Sequence, residues 1–249
     1  MKSIILAAGY ATRLYPLTKD FPKPLLKVGE KSILDRLIDD VDSLPEITGH
    51  IVISNHKFIS HFEEWKKSKS LKNPLTILDD GSSQNENRLG AVKDILFAIE
   101  KENIQEEILV LAGDNLLDFS LAPFVSYQKS KKSACIMRHF EGEKAKLQKT
   151  GVAIIDENER VLKMQEKPKE PASSWAVPPF YIYTKEDLPL IKKACTPDSQ
   201  GNMICGTDAP GDFIAWFCSQ RPLYAWLMTG KRHDIGDLKS YQEAQNLKF

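Results

Sequence analysis

The chain is poor in the features that sort a protein quickly. Its 249 residues hold four cysteines, Cys135, Cys195, Cys205 and Cys218, with no C-x-x-C spacing and no histidine at metal-finger spacing. That argues against a zinc module or a disulfide scaffold; the four read as buried or free thiols of a reducing compartment. No apolar run approaches the roughly 18 residues of a membrane span. The run before the first loop is too short for a leader and lacks a cleavage pattern, so the expected location is cytoplasmic. Net charge is also missing, with 34 basic residues balancing 34 acidic ones. Nothing global therefore favours a nucleic-acid or membrane-surface partner, and any anion site must be local. Two common phosphate signatures are absent as well. There is no G-x-G-x-x-G after the first strand and no G-x-x-x-x-G-K-[ST], which argues against a nicotinamide dehydrogenase and a P-loop ATPase.

What is present begins with Ile4 to Leu34, IILAAGYATRLYPLTKDFPKPLLKVGEKSIL. The apolar Ile4-Ile5-Leu6 has the look of a buried strand. It runs into Ala7-Ala8-Gly9, where no bulky side chain blocks the backbone. Arg13, Lys23 and Lys27 follow, in a loop stiffened by Pro16, Pro22 and Pro24. Small residues let main-chain N–H groups approach an anion, and cations neutralise it. By itself the same stretch also reads as an ordinary strand-loop junction with solvated charges.

The segment from Leu6 to Thr18, LAAGYATRLYPLT, followed by Phe21-Pro22-Lys23-Pro24-Leu25-Leu26, resembles the signature of the sugar-1-phosphate nucleotidyltransferases, the NDP-sugar pyrophosphorylases. Within that resemblance are the stand-alone glucose-1-phosphate thymidylyltransferase and uridylyltransferase types. It implies a Rossmann-like α/β fold: a mixed, mainly parallel sheet flanked by helices, with an inserted acceptor-binding subdomain. It also implies that Arg13 and Lys23 bind phosphate, and that Leu6, Ala7, Ala8 and Gly9 line the nucleotide.

Further along, Ser32 is a plausible N-cap for a helix from Ile33 to Val41. His50 to Asn55 reads as a second buried strand, roughly Ile59 to Lys69 as a charged amphipathic helix, and Leu75 to Leu78 as a third strand. This alternation implies a parallel sheet. The polar loop DDGSSQNENR, Asp79 to Arg88, precedes Leu89-Gly90 and a helix from about Ala91 to Glu100. Loops at strand ends in such sheets carry sites. The resemblance makes Gln84, Asn85 and Gly90 the base-reading candidates; the bland alternative is a solvated turn.

Glu107 to Asn115, EILVLAGDN, is a central strand ending in a carboxylate. A buried-strand tip of that kind is costly unless paired or metal-bound. Gly113 would permit close approach to a ligand, and the family's metal-binding Asp falls on Asp114. From Ser133 the character changes to strands at 134–138, 150–155 and 161–165, the last two joined by a hairpin-like turn. Glu166-Lys167-Pro168 resembles the family's E-K-P motif, which assigns sugar contact to Glu166 and phosphate contact to Lys167, with Gly151 beside them. Trp175 to Tyr183, WAVPPFYIY, departs from the pattern. Relatives place a small or polar residue and a glycine there, whereas Pro178-Pro179 offers no N–H donors. Trp175 is a candidate apolar wall for the acceptor, with core packing the other reading of any such tryptophan.

Lys185 to Ala194 looks helical, 196–212 reads as a loop, Phe213 to Cys218 as a helix and Leu223 to Met228 as a strand. Lys231-Arg232-His233-Asp234-Ile235-Gly236-Asp237 stands where the family has a W-x-D-I-G-type segment, here without its Trp. Asp234 corresponds to the second metal ligand, and Asp237 reads as the N-cap of a closing helix, Leu238 to Leu247.

The expected organisation is a single domain over residues 1–249, mainly nucleotide-binding over 1–130 and mainly acceptor-binding over 131–249. Nothing follows that would carry a C-terminal acetyltransferase β-helix, so a stand-alone transferase is expected. The expected chemistry is transfer of a nucleoside monophosphate from a nucleoside triphosphate, dTTP or UTP, to a sugar 1-phosphate. Asp114 and Asp234 would meet across a cleft and hold Mg²⁺. Two other readings stay open: a CTP-dependent transferase for a non-sugar phosphate such as phosphocholine, and a non-catalytic nucleotide-sugar sensor. The sequence leaves the oligomeric state undetermined.

Overall fold

The computed structural model describes residues 1–247. The chain forms two compact units. The first comprises Met1–Leu89, Leu111–Ala122 and the segment from Thr229 onward; the second comprises Gly90–Val110 and Pro123–Met228.

In the first unit the strand Lys2–Leu6 pairs in parallel with Gly49–Ser54, which pairs in parallel with Leu75–Asp79. Every residue of Gly49–Ser54 is buried, as in a strand covered on both faces. The connecting helices are Ile33–Asp42 and Ile59–Lys67, close to the expected bounds. The first starts on a capping box, with Ser32 Oγ accepting from the Asp35 N–H at 3.0 Å and the Asp35 carboxylate accepting from the Ser32 N–H at 2.9 Å. Ile33, Leu34, Leu37, Ile38 and Val41 form its buried stripe. Two short ribbons complete the unit. Lys27–Val28 pairs with Lys31–Ser32 around Gly29, whose φ is +63°. Asn115–Leu117 pairs antiparallel with Arg232–Asp234. The helix Leu238–Ala244 is capped by Asp237, as expected, and its Ala244 joins Leu14, Leu26, Val28, Ile33, Leu116 and Ile235 in one buried cluster.

The second unit is built mainly of antiparallel pairs, in the order Val161–Glu166, Gly151–Ile155, Trp175–Val177, Ala134–Phe140, Phe180–Tyr183. Leu223–Leu227 runs parallel to Ala134–Phe140. Helices Ala91–Lys101, Leu188–Cys195 and Pro210–Phe217 belong to this unit. The last begins at Pro210, three residues before its first aromatic, with proline in the first turn, where its missing N–H costs nothing. The helix Ala122–Lys131 has no apolar stripe to announce it: Phe124 and Val125 are buried beside the buried Gln128. The result is the expected class, a mixed α/β sheet flanked by helices. All four cysteines are free. No helix among the described residues is long and apolar enough to cross a membrane.

Candidate functional site

The first strand delivers Ala7, Ala8 and Gly9 to its carboxyl end. The Ala7 N–H still bonds Ile53 O at 2.9 Å, extending the parallel ladder. The Ala8 carbonyl accepts from Asn55 Nδ2 at 2.9 Å, and Asn55 Oδ1 accepts from the Phe58 N–H, so one buried amide fixes the turn. The Tyr10 hydroxyl donates to Ser82 O at 3.0 Å. Thr18 Oγ1 closes the basic loop onto Ala11 O at 2.7 Å. Arg13 lies exposed in the short helical turn Thr12–Leu14. Gly113 packs closely on the first strand, where a Cβ would lie 3.0 Å from Ile5 Cγ2 and 3.1 Å from Leu6 O.

Lys23 is 6% exposed, which an ammonium tolerates only when paired. Its Nζ lies 2.8 Å from Asp114 Oδ2 and 3.9 Å from Asp234 Oδ1. Carboxylates 120 positions apart in the sequence thus converge on one nitrogen. Their side chains are 40% and 53% exposed, open to an incoming group. Among the described residues no cluster of three or more His, Cys, Asp or Glu could hold a metal. Two open carboxylates on one point fit a hard divalent cation that completes its shell with phosphate oxygens and water. Asp114 Oδ1 also accepts from Asn115 Nδ2 at 2.6 Å, and Arg232 donates to Asn115 Oδ1. Neither Asn115 nor Arg232 stood out in the sequence. Asn115 could have been taken from the G-D-N run, but nothing signals Arg232.

The base-reading candidates divide. Gln84 is exposed and opens the turn Asn85–Asn87, its N–H held by Asn87 Oδ1 at 3.0 Å. Asn85 accepts from Arg88 through both its carbonyl and its side chain. Gly90, in the second unit, is buried with φ +93°; a Cβ there would lie 2.9 Å from Thr207 O and Asp208 Cα. The N–H groups of Ala91 and Val92 donate to Asp208 O and Thr207 O. Those carbonyls cap the helix Ala91–Lys101.

In the second unit Gly151 lies opposite Glu166 across an antiparallel pair and opposite Val177 on its other side. The Lys167 N–H bonds Thr150 O at 3.1 Å, and its Nζ is 3.6 Å from Glu166 Oε1. Gly151, Glu166 and Lys167 are therefore together. Burial raises the Glu166 carboxyl, and Asp212 adds to the rise while Lys167 opposes it. A Cβ at Gly211, in the first turn of Pro210–Phe217, would collide with Glu166 Oε2. Trp175 is engaged elsewhere, with the Arg138 guanidinium 4.2 Å from its ring centre and Phe140 edge-on at 6.0 Å.

The features in the first unit, a small-residue turn, a basic loop and carboxylates drawn to a lysine, are those of a phosphate-handling enzyme class. A family model for nucleotidyl transferases matches residues 2–248, and the chain belongs to that family. It is 31% identical to a bifunctional protein GlmU of Methanococcus aeolicus over 95% of this chain and 51% of that protein. The chain thus spans about half the length of that relative. It is 27% identical to the UTP–glucose-1-phosphate uridylyltransferase AglF of Haloferax volcanii, over 98% of this chain and 95% of that one. Other matched relatives are named for adenylyl or guanyl transfer. Among solved structures, a provisionally named glucose-1-phosphate thymidylyltransferase of Bacillus anthracis superposes with a TM-score of 0.80 at 25% identity, covering 100% of this chain and 97% of that one.

Proposed function

We propose that the chain is a sugar-1-phosphate nucleotidyltransferase. It moves a nucleoside monophosphate from a triphosphate, UTP or dTTP in preference, onto a sugar 1-phosphate and releases pyrophosphate. The observation that carries this reading is the convergence of Asp114 and Asp234 on the buried Lys23 ammonium. Attack of one phosphate on another needs no covalent intermediate, and the nucleophile is already an anion at neutral pH. What the protein supplies is positioning and charge neutralisation. Mg²⁺ held by Asp114 and Asp234 would supply Lewis-acid neutralisation of the phosphate oxygens.

The other roles belong to the chain's own side chains. Arg13 neutralises the departing pyrophosphate and Lys23 the transferring phosphate. Lys167 holds the acceptor phosphate, and Glu166 accepts from a sugar hydroxyl. The backbone from Leu6 to Gly9, with Gln84 and Asn85, receives the nucleotide. A choline cage at Trp175 is disfavoured because a guanidinium already stacks on that ring. Retention of Arg13, Lys23, Lys167 and both carboxylates favours catalysis over sensing.

The test is pyrophosphate release with Mg²⁺ over a grid of ATP, GTP, CTP, UTP and dTTP against sugar 1-phosphates and phosphocholine. Asp114→Asn is the control. The expected result is one strong combination, a pyrimidine triphosphate with a sugar 1-phosphate, that disappears in the control. Turnover only with CTP and phosphocholine, or activity unchanged in Asp114→Asn, would overturn the reading.

A further inference from the structure

We propose that Arg232 is a positioning residue for the paired carboxylates, acting through the amide of Asn115. The inference rests on the reading of Asp114 and Asp234 as the holders of a divalent cation. It begins with the antiparallel ribbon of Asn115–Leu117 and Arg232–Asp234, in which Asp234 lies opposite Asn115 and Arg232 opposite Leu117. Directly opposed residues share a face of a ribbon, and so do alternate residues along a strand. Asn115, Arg232 and Asp234 therefore project to one side.

On that side five side chains form a closed circuit. Arg232 Nη1 donates to Asn115 Oδ1, and Asn115 Nδ2 donates to Asp114 Oδ1. Asp114 Oδ2 accepts from Lys23 Nζ, and that nitrogen lies 3.9 Å from Asp234 Oδ1. Asp234 Oδ2 returns to Arg232 Nη1 at 3.8 Å. A guanidinium only donates and an ionised carboxylate only accepts. The amide between them consequently has one workable orientation, oxygen toward Arg232 and nitrogen toward Asp114. Without Arg232 the amide can turn its oxygen onto Asp114, replacing attraction with repulsion. Arg232 is only 17% exposed, so water replaces it poorly. In the W-x-D pattern this place is a tryptophan, whose single neutral N–H cannot serve both Asn115 and Asp234. Arg232 is thus a departure that the proposed chemistry had not used.

The test is Mn²⁺ titration of the full chain without nucleotide, read by electron paramagnetic resonance of free Mn²⁺. Parent, Asp114→Asn, Arg232→Met, Asn115→Leu and the Arg232/Asn115 double variant are compared, with circular dichroism to check folding. Outer-shell partners of metal ligands are worth about 10- to 100-fold in affinity. Arg232→Met should weaken Mn²⁺ binding by about tenfold or more, Asn115→Leu comparably, and the double variant little beyond either single. A merely structural Arg232 would lower the melting temperature and leave Mn²⁺ affinity within about twofold, which would overturn the proposal. Fully additive losses would overturn the route through Asn115. Should Arg232→Met fail to fold, Asn115→Leu decides, because Arg232 is still present in it and unchanged affinity there refutes the route. Loss of binding in Asp114→Asn with none in the others sinks this inference alone. Unchanged binding in Asp114→Asn sinks the functional reading beneath it.

Discussion

At the residue scale, Asp114 and Gly211 separate chemistry from shape. Asp114 is partly exposed, and its partner Lys23 keeps Asp234 within ion-pair range when the charge at 114 is removed. Asp114→Asn should therefore melt within about 4 °C of the parent, as partly exposed changes do. It should lose about 100-fold or more in kcat, the scale seen when a transition-state charge loses its partner. Pyrophosphate release and a thermal melt on the same preparation check both halves. Gly211 adjoins Glu166, the residue proposed to contact the acceptor. Since a Cβ there collides with Glu166 Oε2, Gly211→Ala must push that carboxylate off its place. The expected signature is an acceptor KM raised by about tenfold, on the order of one lost charged hydrogen bond, with the triphosphate KM within about twofold. A rise in the triphosphate KM alone would refute the assignment of Glu166. At this scale the sequence anticipated that Asp114 and Asp234 would come near each other and that Gly151 would lie beside Glu166 and Lys167; that the two carboxylates meet at Lys23 is visible only in the fold. It was silent on Arg232, Asn115 and Gly211, whose parts depend on strand register and on a helix start. Trp175 could be read on paper as an acceptor wall or as core packing, and in the fold Arg138 stacks on its ring.

At the element scale, the join between the first strands and the first helix rests on a buried trio. Ser3 Oγ lies 2.8 Å from His50 Nδ1, and His50 Nε2 lies 3.0 Å from Asp42 Oδ1. Serine, histidine and aspartate in a row suggest a hydrolase, but Ser3 is 0% exposed and no substrate reaches it. The trio is structural. The Asp42 carboxylate can only accept, so Nε2 carries the proton, Nδ1 accepts from Ser3, and the neutral ring is fully satisfied. Burial pushes the His50 pKa down, outweighing the upward pull of Asp42. Burial also works against the charge on Asp42, yet hydrogen bonds from His50, the Lys72 N–H and Asn73 hold it down to about 2. The sign follows for each. His50 stays neutral when folded but protonates in the unfolded chain below about pH 6.5, so its contribution is intact above that pH and declines as pH falls. Asp42 contributes above about pH 4 and loses its share between there and about 2. Urea unfolding should show stability falling from pH 7 to 5 in the parent and falling less steeply in His50→Gln. The variant should also be about 1–3 kcal/mol less stable at pH 7. An unchanged slope would remove His50 from the acid limb. The elements themselves were legible wherever local chemistry and period agreed, as with the Ser32 cap before the stripe of Ile33–Asp42. Ala122–Lys131 was not, since its burial is decided by neighbours rather than by an apolar face of its own.

At the scale of the whole molecule, the compact units do not follow chain order: the segment from Thr229 groups with the first unit. It brings Asp234 to Lys23, and it brings Ile235 and Ala244 into the cluster with Leu14, Leu26, Val28, Ile33 and Leu116. The Tyr241 hydroxyl and Gln245 Nε2 both donate to Lys27 O at 2.8 Å, and Gln245 Oε1 accepts from the Gly29 N–H at 3.2 Å. The closing segment is thus tied to the basic loop by core packing and by side-chain hydrogen bonds to its backbone. Such a link could not be read from periodicity, because it joins residues more than 200 positions apart. Ile235 is 0% exposed, so Ile235→Ala should cost about 2–5 kcal/mol through lost burial and the cavity left behind. Because the same strand end positions Asp234, the loss should not stop at stability. At a temperature where the variant is still folded, Mn²⁺ affinity and kcat should fall together while Glu166 and Lys167 in the second unit, the proposed acceptor contacts, are untouched. Limited proteolysis would then cut first within residues 10–30, where the loop has lost its anchor. Cleavage confined to the second unit, or a stability loss with metal affinity unchanged, would mean that the closing segment packs against the loop without setting its geometry.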